Sequence, residues 1–103
     1  MIREIAPITP GELLNEEFLK PLGITQYRLA KEIGVSPLRI SEIVNGKRAV
    51  TADTDLRLAR FFGLSDGYWL RAQVAHDTEV ARDKMHDVLA GIKQWKPQEH
   101  AHA

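Results

Sequence analysis

The sequence predicts an all-α fold of five or six helices with an extended C-terminal helix. Signals that begin and end helices recur throughout the 103 residues, and they enclose apolar residues spaced three or four positions apart. Strand-like alternation of apolar and polar residues does not occur in the sequence. A chain of this length with 44% apolar residues is expected to form one core.

The first predicted helix begins at Pro10, where the missing N–H costs nothing because the first N–H groups of a helix have no partner within it. Thr9 precedes it as the N-cap residue. Pro21 and Gly23 are predicted to end this helix, since both residues disfavour its continuation. The predicted inner face comprises Leu13, Leu14 and Phe18.

Two short helices follow, with a glycine at the break between them. Thr25 is predicted to cap the second helix, which runs to about Ile33 and breaks at Gly34. Ser36-Pro37 repeats the cap-and-proline signal and opens the third helix, which Asn45-Gly46 ends. The two helices therefore flank a turn of only three or four residues.

Three more helices are predicted in the second half of the chain. Thr51 caps the fourth, which stops at Gly63, and Ser65 caps the fifth. A sixth helix covers about residues 78–95, and residues 97–103 form a frayed or disordered tail because they have little to bury. The apolar residues assigned to the fourth helix's inner face are Leu56, Ala59 and Phe62, and those of the fifth helix are Tyr68, Trp69 and Leu70.

Composition excludes several classes of protein. Without cysteine the chain has neither disulfides nor thiolate metal sites, which suits a reducing cytosol. No apolar run approaches the roughly 20 residues of a membrane span, and the N-terminus lacks a signal-peptide pattern, so we expect a cytoplasmic protein. The net charge is zero, but residues 25–50 carry five basic and two acidic side chains, a local charge of +3.

The segment from Gln26 to Asn45 carries the functional signal. Two helices joined by such a short turn approach closely, and Ala30 is small where they meet. Gly34 accepts the left-handed conformation that the tight turn demands. This spacing is typical of a DNA-binding helix-turn-helix, although helix pairs also occur as αα-hairpins that only fill a bundle. The apolar residues that plug or anchor the pair are Leu29, Ile33, Val35, Ile40 and Ile43.

The polar residues that remain in this segment suit contact with DNA. The first turn of a recognition helix reaches base edges in the major groove, and the guanidinium of Arg39 matches guanine O6 and N7. Leu38 is predicted to touch a thymine methyl, with Pro37 close beside it. Glu42 is predicted to accept from a cytosine amine or to exclude the anionic backbone. The residues predicted to contact phosphates are Gln26, Arg28, Ser36, Ser41, Asn45, Lys47 and Arg48.

Several of these residues also have a purely structural interpretation. Gln26 alternatively only caps its helix. Glu42 alternatively pairs with Arg39 within the third helix, as surface charges three residues apart often do. Lys47 and Arg48 alternatively are ordinary loop charges. Burial and pairing of these side chains distinguish the two interpretations.

In these residues and in others the chain resembles the HigA family of antitoxins, a branch of the Xre/Cro/C1-type, lambda-repressor-like helix-turn-helix proteins. The similarity to the general class lies in residues 29–37 and 40–48. The similarity to the HigA branch lies in residues 9–14, 56–63 and 68–73. The resemblance implies a homodimer that binds operator DNA and represses its own promoter. It also implies that the protein neutralises a small ribonuclease toxin encoded beside it.

The last predicted helix is assigned to association. Residues 1–77 form the DNA-binding domain in this interpretation, and residues 78–96 form the associating helix. This helix carries a coiled-coil-like apolar stripe, which either packs on its own domain or forms a dimer or toxin interface. The interface is favoured because palindromic operators require a twofold partner. The stripe comprises Ala81, Met85, Val88, Ile92 and Trp95.

Neither catalytic nor metal-binding patterns are found in the sequence. Asp53 and Asp55 lie at a helix start, where the helix dipole favours acidic side chains. We therefore expect no cofactor and no enzymatic activity. The competing functions are a stand-alone Xre-type regulator without a toxin and a protein-sequestering module that no longer binds DNA. The histidines, which lack the spacing of a helical metal pair, are His76, His86, His100 and His102.

Overall fold

The computed structural model describes residues 8–97, which contain six helices and no strand. Helix α1 is continuous over three stretches, Pro10–Leu13, Leu14–Leu19 and Lys20–Leu22, of which the middle one is a π-helix. The other helices are α2 (Gln26–Ile33), α3 (Pro37–Val44), α4 (Ala52–Phe62), α5 (Tyr68–Lys84) and α6 (His86–Ala90). The all-α prediction is confirmed, whereas the predicted tail lies, except for Pro97, outside the described residues. None of these helices combines the length and the apolar character that a membrane span needs.

The start of α1 is confirmed and its predicted end is partly wrong. Thr9 Oγ1 accepts from the Glu12 N–H at 3.0 Å, and Glu12 Oε1 accepts from the Thr9 N–H at 3.2 Å, which completes a capping box. Pro21 lies inside the last turn, and the helix ends only at Gly23. Ahead of the proline the helix widens to the π form, in which the Lys20 N–H bonds the Asn15 carbonyl five residues earlier.

Close packing of α1 on α3 depends on one glycine. A Cβ atom at Gly11 would overlap with the backbone carbonyl of Ile43, so only a residue without a side chain allows the two helices to come this close. The buried cluster that results draws on α1 to α5 and on Val50, in the α3–α4 loop. It comprises Leu14, Leu19, Leu29, Ala30, Ile33, Ile40, Ile43, Val50, Leu58, Ala59 and Trp69.

The inner face assigned to α4 is partly wrong. Leu56 is 48% exposed. Ala59 is buried and Phe62 is partly buried beside the core, as predicted, whereas the other buried positions are Thr54, Asp55 and Leu58. Residues 55, 58, 59 and 62 follow the three- and four-residue spacing of one helical face, and position 56 is turned about 100° away from position 55.

A buried carboxylate, rather than Ser65, caps α5. Asp55 is 1% exposed, and its two oxygens accept from the N–H groups of Gly67 at 2.7 Å, Trp69 at 2.8 Å and Leu70 at 3.2 Å. Ser65 Oγ instead accepts from Arg71 Nη2 at 2.9 Å, so the predicted cap is wrong. Asp55 therefore satisfies the first N–H groups of a helix whose N-cap residue, Gly67, lies twelve residues later in the chain.

The predicted division between a fifth and a sixth helix is wrong. Helix α5 continues through Thr78 to Lys84, because residues 68–84 contain neither proline nor glycine to stop it. The chain then breaks at Met85, forms the single-turn helix α6 and leaves the helical conformation after Gly91. The predicted domain boundary at residues 77/78 thus falls inside α5.

Candidate nucleic-acid interface

The bend between α2 and α3 has the predicted geometry. Gly34 adopts φ 75° and ψ 36°, a left-handed conformation that ends α2. The N–H groups of Gly34 and Val35 both bond the carbonyl of Ala30, which closes the turn. Ser36 then caps α3 by accepting from the Arg39 N–H at 3.1 Å. The turn therefore directs α3 away from α2 within three residues.

One face of α3 packs on the core and the other is available to a partner. Ile40 and Ile43 are 0% and 2% exposed, so they hold the helix against the body of the protein. Leu38 on the opposite side is 63% exposed, so its side chain is free to contact a partner. Ser41, Glu42 and Asn45 continue from Leu38 along the same helical face.

The predicted DNA-contacting residues differ in exposure. Arg39 has 34% of its side chain exposed, and Gln26, Ser41 and Glu42 are also partly buried. The exposed members of the set are Arg28, Ser36, Pro37, Leu38, Asn45, Lys47 and Arg48. Thr25 rather than Gln26 caps α2, since Thr25 Oγ1 accepts from the Arg28 N–H at 3.0 Å. The purely capping interpretation of Gln26 is therefore wrong.

Two cations at the edges of this surface pair with neighbouring carboxylates. Arg28 lies 3.3 Å from Glu32 in the next turn of α2. Arg48 contacts Glu42 Oε1 through both Nε and Nη2 at 2.8 Å. Glu42 thus holds the segment after α3 against the helix, and the predicted pairing of Glu42 with Arg39 is wrong.

Arg39 itself lies beside α4. Its Nη1 atom is 3.4 Å from Asp53 Oδ1. The same oxygen accepts from Arg57 Nε at 2.8 Å. Arg57 Nη1 also donates to the carbonyls of Ile33 at 2.7 Å and Gly34 at 3.3 Å. The side chains of α4 therefore bind both the turn and the residue predicted to read bases.

Arg57 is not among the residues predicted from the sequence, and Asp53 was predicted there only as a partner of the helix dipole. Their four-residue spacing on α4 was the available signal, because an acid four residues before an arginine forms an ion pair on one helical face. The contacts from Arg57 to the carbonyls of α2 span 23 and 24 residues, and no local pattern predicts them.

The stripe assigned to association is exposed and does not lie on one helix. Ala81 belongs to α5, Met85 to the break and Val88 to α6, whereas Ile92 and Trp95 follow the last helix. All five are exposed, with Ile92 at 65% and Trp95 at 80%. The alternative in which the stripe packs on its own domain is therefore wrong, as is its continuous helical form.

Histidine, aspartate and glutamate form no cluster of three or more that would hold a metal ion within residues 8–97. His76 and His86 each lie beside the next residue's carboxylate, at 3.0 Å from Asp77 and 3.4 Å from Asp87. His100 and His102 lie outside the described residues.

Comparison with known proteins identifies the family. The helix-turn-helix family HTH_3 matches residues 16–69, which contain α2, α3, α4 and the bend. The chain is 34% identical over 87 residues to antitoxin HigA-1 of Vibrio cholerae serotype O1, covering 84% of this chain and 82% of that protein. The chain belongs to the HigA family of helix-turn-helix proteins.

A further relative and a solved structure extend the comparison. Virulence-associated protein I of Dichelobacter nodosus is 51% identical over 78 residues, which are 76% of this chain and 72% of that protein. The structure of the Pseudomonas aeruginosa antitoxin HigA with the higBA promoter superimposes with a TM-score of 0.79 and 31% identity. That superposition covers 87% of this chain and 99% of the other. The all-helical architecture of the HigA family thus extends over most of this chain.

Proposed function

We propose that this protein is a cytoplasmic DNA-binding antitoxin that represses its own promoter and neutralises a toxin encoded beside it. The observation that carries the proposal is the exposed first turn of α3. The bend at Gly34 directs this turn outward, while the other face of α3 is buried against the core. Leu38 at 63% exposure lies at the point that enters the major groove in helix-turn-helix complexes. The likeness to a HigA antitoxin whose structure contains promoter DNA supports the same use of this surface.

We assign the predicted residues to the two kinds of contact that DNA offers, base edges and backbone phosphates. Arg39 and Leu38 read base edges, with Pro37 beside them and Glu42 accepting from a cytosine amine. The remaining predicted residues bind phosphates, because backbone contacts set affinity and register without carrying sequence information. They are Gln26, Arg28, Ser36, Ser41, Asn45, Lys47 and Arg48. Repression follows from occupying the promoter, and no chemical step is required of the protein.

Titration of a duplex from the region upstream of the coding sequence tests DNA binding. We expect the affinity to fall about a thousandfold between roughly 50 and 200 mM salt, because phosphate binding releases counterions. Arg39→Ala should cost about 1–3 kcal/mol on this duplex and reduce the preference over a scrambled duplex. Arg60→Ala, which removes an exposed arginine from the last turn of α4, is the matched control and should leave the preference unchanged. Absence of binding at low salt would refute the proposal.

Neutralisation of a toxin is tested separately. The open reading frame adjacent to the gene, if it encodes a basic protein of about 90–110 residues, is expressed alone and together with this chain. We expect growth arrest in the first case, normal growth in the second and a complex that copurifies. Sequence-specific DNA binding without any such effect would leave the stand-alone regulator as the function. Rescue of growth without DNA binding would favour the sequestering module.

The C-terminal part of the chain is proposed to mediate homodimerisation. Several exposed apolar side chains lie there, and large exposed apolar patches mark sites where proteins associate. A helix-turn-helix protein that binds two half-sites also needs a twofold partner. Residues 1–77 supply the DNA-binding surface in this proposal. The partner surface lies in residues 78–96 and includes Ala81, Met85, Val88, Ile92 and Trp95.

A further inference from the structure

We propose that Asp53 is a positioning residue that sets the sequence selectivity of Arg39. The proposal rests on the DNA binding proposed above. Asp53 lies in the first turn of α4, outside the helix that enters the groove, and nothing in the sequence motif assigns it to recognition.

The Asp53 carboxylate is held in a defined place relative to the bend. Its Oδ1 atom accepts from Arg57 Nε at 2.8 Å, and Arg57 Nη1 donates to the carbonyls of Ile33 and Gly34 at 2.7 and 3.3 Å. One guanidinium therefore connects the carboxylate to the backbone of the turn. Movement of the Asp53 carboxylate away from the turn would break its hydrogen bond with Arg57.

The same oxygen is 3.4 Å from Arg39 Nη1, across fourteen residues of sequence. This contact uses one nitrogen of a guanidinium that has five N–H donors. A bidentate contact with guanine needs two donors, so the pair with Asp53 and the base contact are compatible. The separation is also longer than in a strong charge-assisted hydrogen bond, and it leaves the arginine able to adjust.

Asp53 increases selectivity because it disfavours contacts between Arg39 and phosphates. An arginine with no partner at the edge of the groove contacts any phosphate that it reaches, and such contacts carry no sequence information. Asp53 is 59% exposed, so its negative charge repels phosphates nearby and stabilises Arg39 in the one direction that reaches base edges. Specificity is a difference between two affinities, and a repulsive element lowers the affinity for the wrong partner.

The test uses Asp53→Asn in the full chain. The wild-type chain first selects its preferred duplex from a randomised library, and affinities are then measured for that duplex and for a scrambled one. We expect Asp53→Asn to bind the scrambled duplex more tightly and to reduce the ratio of the two affinities by roughly fivefold or more, the lower end of what a bidentate base contact discriminates. Asp66→Asn is the matched control, because it removes the same charge from the turn beyond the opposite end of α4.

A double-mutant cycle with Arg39→Ala separates positioning from a structural role. If Asp53 acts through Arg39, Asp53→Asn changes the affinity ratio in the wild-type background and leaves it unchanged in the Arg39→Ala background. An equal change in both backgrounds, or a uniform loss of affinity for both duplexes, would mean that the variant disturbs the bend through Arg57, and it would overturn the proposal. An unchanged ratio in Asp53→Asn would overturn it as well. Failure of the wild-type chain to enrich any sequence would instead refute DNA recognition itself.

Discussion

Leu58 in α4 and Leu89 in α6 are the same side chain in two different surroundings, at 0% and 42% exposure. The contrast holds for the regions around them. Every member of the hydrophobic core lies between Leu14 and Trp69, whereas residues 70–97 contain no buried residue. The helix-turn-helix region therefore buries its apolar side chains within one chain. The C-terminal region leaves its apolar side chains exposed, and this difference supports the proposal that the C-terminal region mediates association.

The largest effect on the free energy of unfolding is expected when a leucine side chain is truncated to alanine in the buried region, compared with the same substitution in the exposed region. Leu58→Ala should lower the free energy of unfolding by about 2–5 kcal/mol, because it removes buried methyl groups and leaves a cavity. Leu89→Ala should change it by less than about 0.5 kcal/mol in dilute protein, where no partner covers the side chain. Urea unfolding at several protein concentrations measures both. Equal effects at the lowest concentration would contradict the contrast between the regions.

Asp55 connects the two regions, since it lies in α4 and caps the long helix that leads to the C-terminal part. Asp55→Ala should destabilise the protein by about 3 kcal/mol, because three backbone N–H groups lose a charged acceptor and the burial around it leaves them unpaired. Asp66→Ala, an exposed aspartate in the adjoining turn, should cost no more than about 0.5 kcal/mol. Thermal and urea unfolding provide the measurement, and similar losses in the two variants would show that the cap contributes little.

Trp95 tests whether the exposed C-terminal side chains form an interface. Trp95→Ala should weaken self-association by about 2 kcal/mol, or roughly 30-fold in Kd, because aromatic residues dominate interface energies. Tyr27→Ala truncates another exposed aromatic side chain, on α2, and should leave association unchanged. Sedimentation equilibrium distinguishes these outcomes. A monomeric wild-type chain at all concentrations would rule out a homodimer interface in this region.

The smallest effect concerns a surface ion pair on α1. The hydrogen bond from Lys20 lowers the pKa of the Glu16 carboxyl, with the Lys20 charge and a hydrogen bond from Asn15 adding to it. A carboxyl whose pKa is lower in the folded state contributes stability above its unfolded pKa, and this contribution is lost as pH falls through the folded pKa. Lys20→Met should raise the pKa of Glu16 in an NMR titration. An unchanged pKa would show that solvent screens the pair completely.

The sequence by itself determined the starts of α1 to α4, the bend and the family. Thr9, Thr25, Ser36 and Thr51 each accept a hydrogen bond from a backbone N–H three residues later, so each cap is fully specified within a few positions. Gly34 likewise acts through its own backbone conformation and a carbonyl four residues earlier. The spacing from Gln26 to Asn45 predicted which side of α3 is buried, because helical periodicity is also local.

Only the tertiary structure decided which charged groups meet and which side chain caps α5. The caps that Asp55 supplies, the contacts from Arg57 to the turn and the contact between Arg39 and Asp53 join residues 12 to 24 positions apart. Gln73 similarly bonds both backbone groups of Val50 across 23 positions. Such pairs depend on how helices pack after they form, and periodicity within one helix carries no information about its neighbour. The exposure of Leu56 was missed for the same reason, since the direction of the core is set by the other helices.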